Sequence, residues 1–146
     1  MVEDEEPVSI SATTMTTDEQ RNLLENARVI AVVGHSDKPN RTSYRIAQYL
    51  RHMGYTVYPV NPTVSEIDGE PCYPDLASVP EPIDIVNVLR RSEYLADIVH
   101  EALAVNAKSV WAQLGVEDDT ASRLASEADL PIVMNNCIKV THSRII

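Results

Sequence analysis

The chain alternates between short, continuous apolar runs and segments in which apolar residues recur every three or four positions. The continuous runs predict strands buried on both faces, as in a parallel sheet covered by helices; they span residues 29–34, 55–60, 83–89, 109–114 and 131–134. The periodic segments predict amphipathic helices that begin near Thr17, Ser43, Ser92 and either Asp118 or Asp119. Because strand and helix alternate, the sequence predicts an α/β fold, a doubly wound, mostly parallel five-stranded Rossmann-like sheet with helices on both faces.

The ends of this domain and its longest connection carry weaker signals. Thr17 and Gln20 have the spacing of a capping box, which predicts the start of the first helix. Residues 63–82 contain four prolines and predict an irregular connection, and residues 139–146 predict a short tail. Residues 1–16, acidic at first and then rich in Ser and Thr, predict a flexible N-terminal arm in front of a domain that spans 17–146.

The net charge of the chain limits the classes of partner that we expect. Its 22 acidic residues outnumber its 12 basic ones, so the net charge is −10. Such a surface repels nucleic acid and anionic lipid, so we expect a small-molecule ligand and neither nucleic acid nor a membrane as partner. The same charge is compatible with a halophilic host or with an ordinary acidic cytoplasmic protein, and the oligomeric state stays open.

The cysteines and apolar runs bear on the compartment. Cys72 and Cys137 are the only cysteines and neither belongs to a CxxC pair. The sequence shows no signal-peptide pattern and no apolar run near the ~20 residues of a membrane helix. We therefore expect a cytoplasmic protein with free thiols, and no Cys/His spacing predicts a metal site.

In a doubly wound sheet, ligands bind at the carboxyl ends of the strands. The first predicted strand ends in Gly34, and a polar loop then leads into the helix that begins near Ser43. Free N–H groups at such a helix start attract phosphate, and Lys38, Arg41 and Arg45 would add positive charge. The simpler alternative is that Gly34 only permits a tight turn and the basic residues are solvated.

Two common nucleotide-binding motifs are missing from the loops, and their absence limits the class of phosphate ligand. A full GxGxxG fingerprint is missing, and Asn61-Pro62 stands where a dinucleotide site would carry an acidic residue for the ribose. This disfavours NAD, although Asn61 could still make one hydrogen bond to a ribose. No GxxxxGK[ST] motif is present, which excludes a P-loop.

These residues resemble the small stand-alone CoA-binding domain proteins, whose fold is shared with the CoA-binding domain of the succinyl-CoA synthetase α subunit. The resemblance covers about Ala27 to Ile146. It is carried by residues 31–36 with Arg41 and Ser43, by 54–55 and 59–62, by 66–69 and 83–90, by 110–115, and by Cys137 and His142.

The resemblance implies coenzyme A as the ligand and assigns a role to each loop. The diphosphate would lie on Gly34, His35, Ser36 and the helix near Ser43, with Arg41 as partner of a charged phosphate. Val60, Asn61 and Pro62 would border the adenosine. Leu89, Arg90, Ala112, Gln113 and Leu114 would line the path of the pantetheine arm.

No residue is assigned a catalytic role. His35 lacks a visible carboxylate partner and is expected to be a phosphate contact or a space-filling residue, while Cys137 and Trp111 are expected to be structural. The leading interpretation is non-catalytic binding of CoA or an acyl-CoA. The alternatives are an NAD(P)-dependent oxidoreductase, an acyl-CoA ligase-type subunit that lacks its partner chain, and an interaction module whose ligand site has been lost.

Overall fold

Parallel strands form the centre of the protein in the computed structural model, which describes residues 15–146. The strands are β1 (Val29–Val33), β2 (Thr56–Val60), β3 (Glu66–Ile67), β4 (Glu70–Pro71), β5 (Ile85–Val88), β6 (Val110–Ala112) and β7 (Ile132–Val133). Strands β3 and β4 form a small antiparallel hairpin, and the other five form one sheet in the order β2-β1-β5-β6-β7. All four pairings in that sheet are parallel, which confirms the predicted fold class.

Five α-helices of the described residues cover the two faces of the sheet: α1 (Thr17–Asn26), α2 (Thr42–His52), α3 (Leu95–Ala104), α4 (Asp119–Glu127) and α5 (Ile138–Ile145). Successive residues of a strand point to opposite faces. Ala31 and Val33 of β1 therefore pack with residues of α3 and α4, whereas Ile30 and Val32 pack with residues of α1, α2 and α5. This double burial explains why the sequence of β1 is apolar throughout.

Several local predictions need correction. The first helix is capped one residue earlier than predicted, because Thr16 and Glu19 form the capping box in place of Thr17 and Gln20. Ser92 does not cap α3, since its hydroxyl donates to the Gly115 carbonyl and accepts from the Glu117 N–H. The predicted tail is helix α5, which buries Ile138 and His142 one turn apart.

The connection after β2 is also more ordered than its prolines predict. It contains the β3–β4 hairpin and a 3₁₀ turn over Leu76–Ser78. At the other end of the chain, the structure says nothing of the predicted arm, since residues 1–14 lie outside the described range. Across residues 15–146, no helix combines the length and the apolar character that a bilayer crossing needs.

The strand order fixes where a ligand can enter. The chain runs from β1 to β2 on one side and then crosses to β5 on the other side of β1. Connections that leave in opposite directions open a crevice at the carboxyl ends of the two central strands. In this protein that crevice lies between the loops that follow β1 and β5.

Candidate functional site

A cavity of about 1030 Å³ opens at the carboxyl edge of the sheet. Its walls come from four loops, in residues 34–43 after β1, 61–64 after β2, 89–94 after β5 and 113–116 after β6. Its volume is at the upper end of the range usual for small-molecule sites, roughly 300–1,000 Å³. The cavity therefore lies where the strand order requires it and has room for a large ligand.

Gly34 directly follows β1 and lies close to residues that end or follow the two neighbouring strands. Its N–H donates to the Val60 carbonyl at 2.8 Å, and its φ of 93° lies in the left-handed region. A Cβ at this position would lie 2.4 Å from the carbonyl oxygen of Leu89. Glycine is thus required by the close approach of the β1 and β5 loops, whatever ligand the cavity takes.

The loop after Gly34 is ordered by serine hydroxyls. Ser43 Oγ accepts the N–H of Ser36 at 2.9 Å, and Ser36 Oγ accepts the N–H of Lys38 at 3.0 Å. Helix α2 begins directly after Arg41, and no side chain caps its first N–H groups. Uncapped N–H groups and the helix dipole favour negative charge at this wall of the cavity.

Asn61 fastens this loop to the end of β2. Its Nδ2 donates to the His35 carbonyl at 3.1 Å, and its Oδ1 accepts from both the N–H and the hydroxyl of Thr63. Most of the hydrogen-bonding capacity of the side chain is therefore used inside the protein. This internal role accounts for an asparagine at the position where a dinucleotide site carries an acid.

His35 lies beneath the loop, with its side chain fully buried. Its Nδ1 is 2.8 Å from the Ser36 carbonyl oxygen, and its Nε2 is 3.2 Å from Nη1 of Arg51. Burial is the main cause that lowers the pKa of His35 to about 4, with the Arg51 charge acting in the same direction. The ring is therefore neutral near pH 7. His35 is not among the residues that line the cavity.

Positive charge is concentrated in the cavity. Four of the twelve Lys and Arg residues line it, on two walls: Lys38 and Arg41 after β1, and Arg90 and Arg91 after β5. The Arg90 guanidinium stacks on Tyr94, 4.4 Å from the ring centroid. Within residues 15–146, only Arg91 of these four has a carboxylate within 4.0 Å, that of Glu93.

The floor of the cavity carries a buried acceptor. Gln113 lines the cavity, and its Oε1 is buried without a hydrogen-bond partner among residues 15–146. A buried, unpaired acceptor costs free energy, on the order of 1–3 kcal/mol. This oxygen is closed to solvent, so a donor group of a ligand would reach it only after the Gln113 side chain turned toward the cavity. Leu114 beside it is 66% exposed and offers an apolar surface.

The structure brings most of the predicted site residues together. Nine of the thirteen line the cavity: Gly34, Ser36, Arg41, Ser43, Asn61, Leu89, Arg90, Gln113 and Leu114. The other four do not. His35, Val60 and Ala112 are buried in the protein, and Pro62 is exposed outside the lining. Arg45, predicted beside Lys38 and Arg41, lines a separate surface cleft on the outer side of α2.

Sequence reasoning missed part of the β5 wall. Arg91 and Tyr94 line the cavity because a 3₁₀ turn over Ser92–Tyr94 precedes α3 and brings the Tyr94 ring over Arg90. The signal was present in the sequence: two arginines directly after a buried strand, with an aromatic residue three and four positions later. The prediction of a helix start at Ser92 obscured it.

Other residues that were singled out are structural. Trp111 is fully buried and donates from its indole to the Asn136 carbonyl, as expected for a core residue. His142 is buried and its Nδ1 is 2.7 Å from the Tyr49 hydroxyl. In residues 15–146, no three His, Cys, Asp or Glu side chains lie together so as to hold a metal ion.

A second cavity, of about 610 Å³, lies at the amino ends of the strands beside Asp84 and Lys108.

Comparisons with known proteins cover nearly all of this domain. A family model described as a CoA binding domain matches residues 28–143. Among curated proteins, "Uncharacterized protein YneT" of Bacillus subtilis is 40% identical over 125 residues, which is 86% of this chain and 93% of YneT. Among solved structures, a hypothetical protein from Pyrococcus horikoshii OT3 has a TM-score of 0.87 and 35% identity, over 99% of each chain.

A further similarity is to part of a larger enzyme. ADP-forming acetate–CoA ligase I of Archaeoglobus fulgidus is 28% identical over 128 residues. The match covers 81% of this chain and 19% of the ligase, so four fifths of that enzyme have no counterpart in the matched region.

Proposed function

Because the chain belongs to the CoA-binding domain family, we propose that it binds coenzyme A, or an acyl-CoA, in the cavity at the carboxyl edge of its sheet. The observation that carries the proposal is the concentration of positive charge there. The chain has a net charge of −10, yet among residues 15–146 four cationic side chains line the cavity and only one acidic side chain, Asp37, does. A site of this charge selects an anionic ligand.

The diphosphate fits the wall that follows β1. The open N–H groups at the start of α2 and the charges of Lys38 and Arg41 provide the donors and cations that a diphosphate requires. Because Gly34 has no side chain, the backbone of the loop after β1 can lie close to the loop after β5 and to a bound diphosphate. Arg90, on the opposite wall, is held over Tyr94 with no carboxylate within 4.0 Å in the described part of the chain, so it is free to meet a second anionic group.

The wall that follows β6 suits the pantetheine arm. This arm carries two amide groups, and Gln113, which lines this wall, has an amide side chain that can pair with one of them once it turns toward the cavity. Leu114 and Val116 offer apolar surface to its methylene groups.

An NAD(P)-dependent reaction is supported less well. The acid that would hold a ribose is replaced by Asn61, whose side chain already binds the His35 carbonyl and Thr63. A ligase-type subunit has one observation in its favour, the similarity to the Archaeoglobus ligase, but that match concerns a fifth of the enzyme. We therefore assign binding, and no reaction, to this chain.

The proposal extends to the setting of the protein. A small-molecule ligand, rather than nucleic acid or a membrane surface, follows from the acidic surface outside the cavity. The unpaired thiols of Cys72 and Cys137 agree with a reducing, cytoplasmic compartment.

Calorimetric titration tests the proposal directly. We expect CoA to bind more tightly than NAD or NADP, since only CoA combines a diphosphate with an arm that reaches Gln113. Adenosine 3′,5′-bisphosphate and pantetheine, titrated separately, should each bind more weakly than CoA. Equal or tighter binding of NAD, or no binding of CoA, would refute the assignment.

A further inference from the structure

Two carbonyl oxygens of the loop after β1 are hydrogen-bonded by side chains of the protein itself. The His35 carbonyl accepts from Nδ2 of Asn61 at 3.1 Å, and the Ser36 carbonyl lies 2.8 Å from Nδ1 of His35. Carbonyl oxygens that faced the cavity would repel a phosphate. By binding these two carbonyl oxygens, the neutral side chains of Asn61 and His35 orient the partial negative charges of the loop backbone.

We propose that His35 is a positioning residue of the phosphate-binding loop: with its proton on Nδ1, its ring holds the Ser36 carbonyl inward and so presents the Asp37 N–H to a bound phosphate. This inference rests on the proposed function and names a residue on which its phosphate site depends. His35 touches no ligand in this role and is not a catalytic residue.

The hydrogen-bond partners of the ring determine its tautomer. Arg51 is always a donor, so the Nε2 atom 3.2 Å from its Nη1 must accept and carries no proton. The proton of a neutral ring is then on Nδ1, where it is donated to the Ser36 carbonyl. Gln48 Oε1 accepts from the same Arg51 nitrogen at 2.9 Å and helps to hold the guanidinium in place.

The surroundings keep the ring neutral and in place. The charged and titratable groups that face it are Arg51 and Tyr44 from α2, and Asp68 from the β3–β4 turn. The Tyr44 ring contacts His35 edge-on at 5.9 Å, and its hydroxyl donates to Asp68 at 2.6 Å. Since burial lowers the pKa of His35 to about 4, the tautomer persists throughout the neutral range.

The geometry of the peptide bond connects the ring to the cavity. In a planar trans peptide, the C=O and N–H groups point in opposite directions. If the Ser36 carbonyl points toward the buried ring, then the N–H of Asp37 points away from it. Asp37 lines the cavity, and its N–H makes no hydrogen bond to any of residues 15–146. This N–H would join those at the start of α2.

Two substitutions separate the two ring nitrogens. In His35→Asn the amide nitrogen can occupy the place of Nδ1 and donate to the Ser36 carbonyl, whereas in His35→Gln it reaches the place of Nε2. We expect His35→Asn to bind CoA within about twofold of the wild type, and His35→Gln to bind about fivefold more weakly, as for the loss of one ordered hydrogen bond. His52→Ala, an exposed histidine on α2, serves as the matched control and should not change affinity.

Spectroscopy provides readouts that a purely structural role would not move. The ¹⁵N signals of His35 should show protonated Nδ1 and unprotonated Nε2 from pH 8 to about pH 5. Titration of inorganic pyrophosphate should shift the Asp37 amide resonance in the wild type and His35→Asn, and much less in His35→Gln. Thermal melts identify any variant whose weaker binding reflects unfolding.

The outcomes distinguish this inference from the function on which it rests. If the wild type binds CoA but the two variants bind equally well, or the ring carries its proton on Nε2, the role of His35 is refuted and CoA binding stands. If the wild type binds neither CoA nor pyrophosphate, the proposed function fails and the inference fails with it.

Discussion

At the scale of single residues, the loops of the site are fixed by internal contacts before any ligand is present. Gly34 is confined by the Leu89 carbonyl, Ser43 holds the Ser36 N–H, and Asn61 joins the ends of β1 and β2. Each of these contacts restricts a loop that faces the cavity. A pre-ordered site of this kind loses less conformational entropy when its ligand binds.

Gly34→Ala should be strongly destabilising. The new methyl group would meet the Leu89 carbonyl oxygen at 2.4 Å, in a backbone conformation that already disfavours alanine. We expect a loss of about 2–4 kcal/mol in the free energy of unfolding, measured by urea denaturation. Gly54→Ala is the matched control, because its φ of 102° is similar but no atom lies within 4 Å of the added Cβ. It should lose only about 1 kcal/mol, and equal losses would contradict the steric explanation.

Arg41→Ala should weaken CoA binding without affecting stability. A charge-assisted hydrogen bond to phosphate contributes on the order of 1.5–3 kcal/mol, which corresponds to a loss of roughly 10- to 150-fold in affinity. If Arg41 serves the ribose phosphate, the loss should be smaller for dephospho-CoA. Arg45→Ala removes an exposed arginine one turn further along α2, outside the cavity, and should bind as the wild type does. Unchanged affinity of Arg41→Ala would remove this residue from the site.

At the scale of elements, α1 shows how closely local sequence signals fix a boundary. Thr16 and Thr17 each have an acidic or amide residue three positions on, so both fit the spacing of a capping box, and the prediction placed the cap at Thr17. The structure selects Thr16, whose hydroxyl accepts the Glu19 N–H at 3.1 Å while Glu19 Oε1 accepts the Thr16 N–H at 2.8 Å.

Thr16→Ala should therefore cost about 1 kcal/mol of stability, the usual value of an N-cap hydroxyl. Thr17→Ala, one residue later, removes a threonine that makes no capping bond and should be nearly neutral. Chemical denaturation of the two variants side by side measures the difference. A larger effect at Thr17 would restore the cap that the sequence predicted.

The elements that sequence reasoning found, and those it missed, differ in the origin of their signal. Strands β1, β5, β6 and β7 were predictable because every one of their residues is buried, which makes their sequences almost continuously apolar. Their ends were predicted too long, since Leu89 and Leu114 extend the apolar runs into loops that face the cavity. Helix α5 was missed because only Ile138 and His142 are fully buried along it, so its periodicity depends on a histidine.

The residues of the site also fall into those that the sequence predicts and those that it does not. Gly34, Arg41, Ser43 and Gln113 could be predicted because parallel strands bring their carboxyl ends to one edge. The position of His35 could not, since a histidine in a polar loop gives no sign that its ring is turned inward toward Arg51. Tyr94 depends on a 3₁₀ turn whose sequence is equally compatible with the start of an α-helix.

At the scale of the whole molecule, charge is distributed unevenly. The net charge of −10 belongs to the surface as a whole, while a third of the Lys and Arg residues line a single cavity. Salt acts on these two features in opposite ways. Screening relieves repulsion among the acidic residues, but it also weakens the attraction between the cavity and an anionic ligand.

The salt dependence of the protein should therefore separate stability from binding. The Debye length falls from about 30 Å at 0.01 M salt to about 3 Å at 1 M, a range over which repulsion between exposed carboxylates is largely removed. We expect the melting temperature of the free protein to rise over this range in KCl, as it would in a protein adapted to a high-salt cytoplasm. The additional stabilisation by a fixed concentration of CoA should shrink, because each phosphate contact is screened. Melting the protein with and without CoA at each salt concentration measures both effects on one sample. If the melting temperature of the free protein stays flat or falls, the proposal of a halophilic host loses its support. The proposal of CoA binding is unaffected by that result, because it depends on the cavity and not on the surface charge. A CoA-induced shift that grew with salt would instead indicate that apolar contacts to the pantetheine arm, rather than the cationic walls, dominate the affinity.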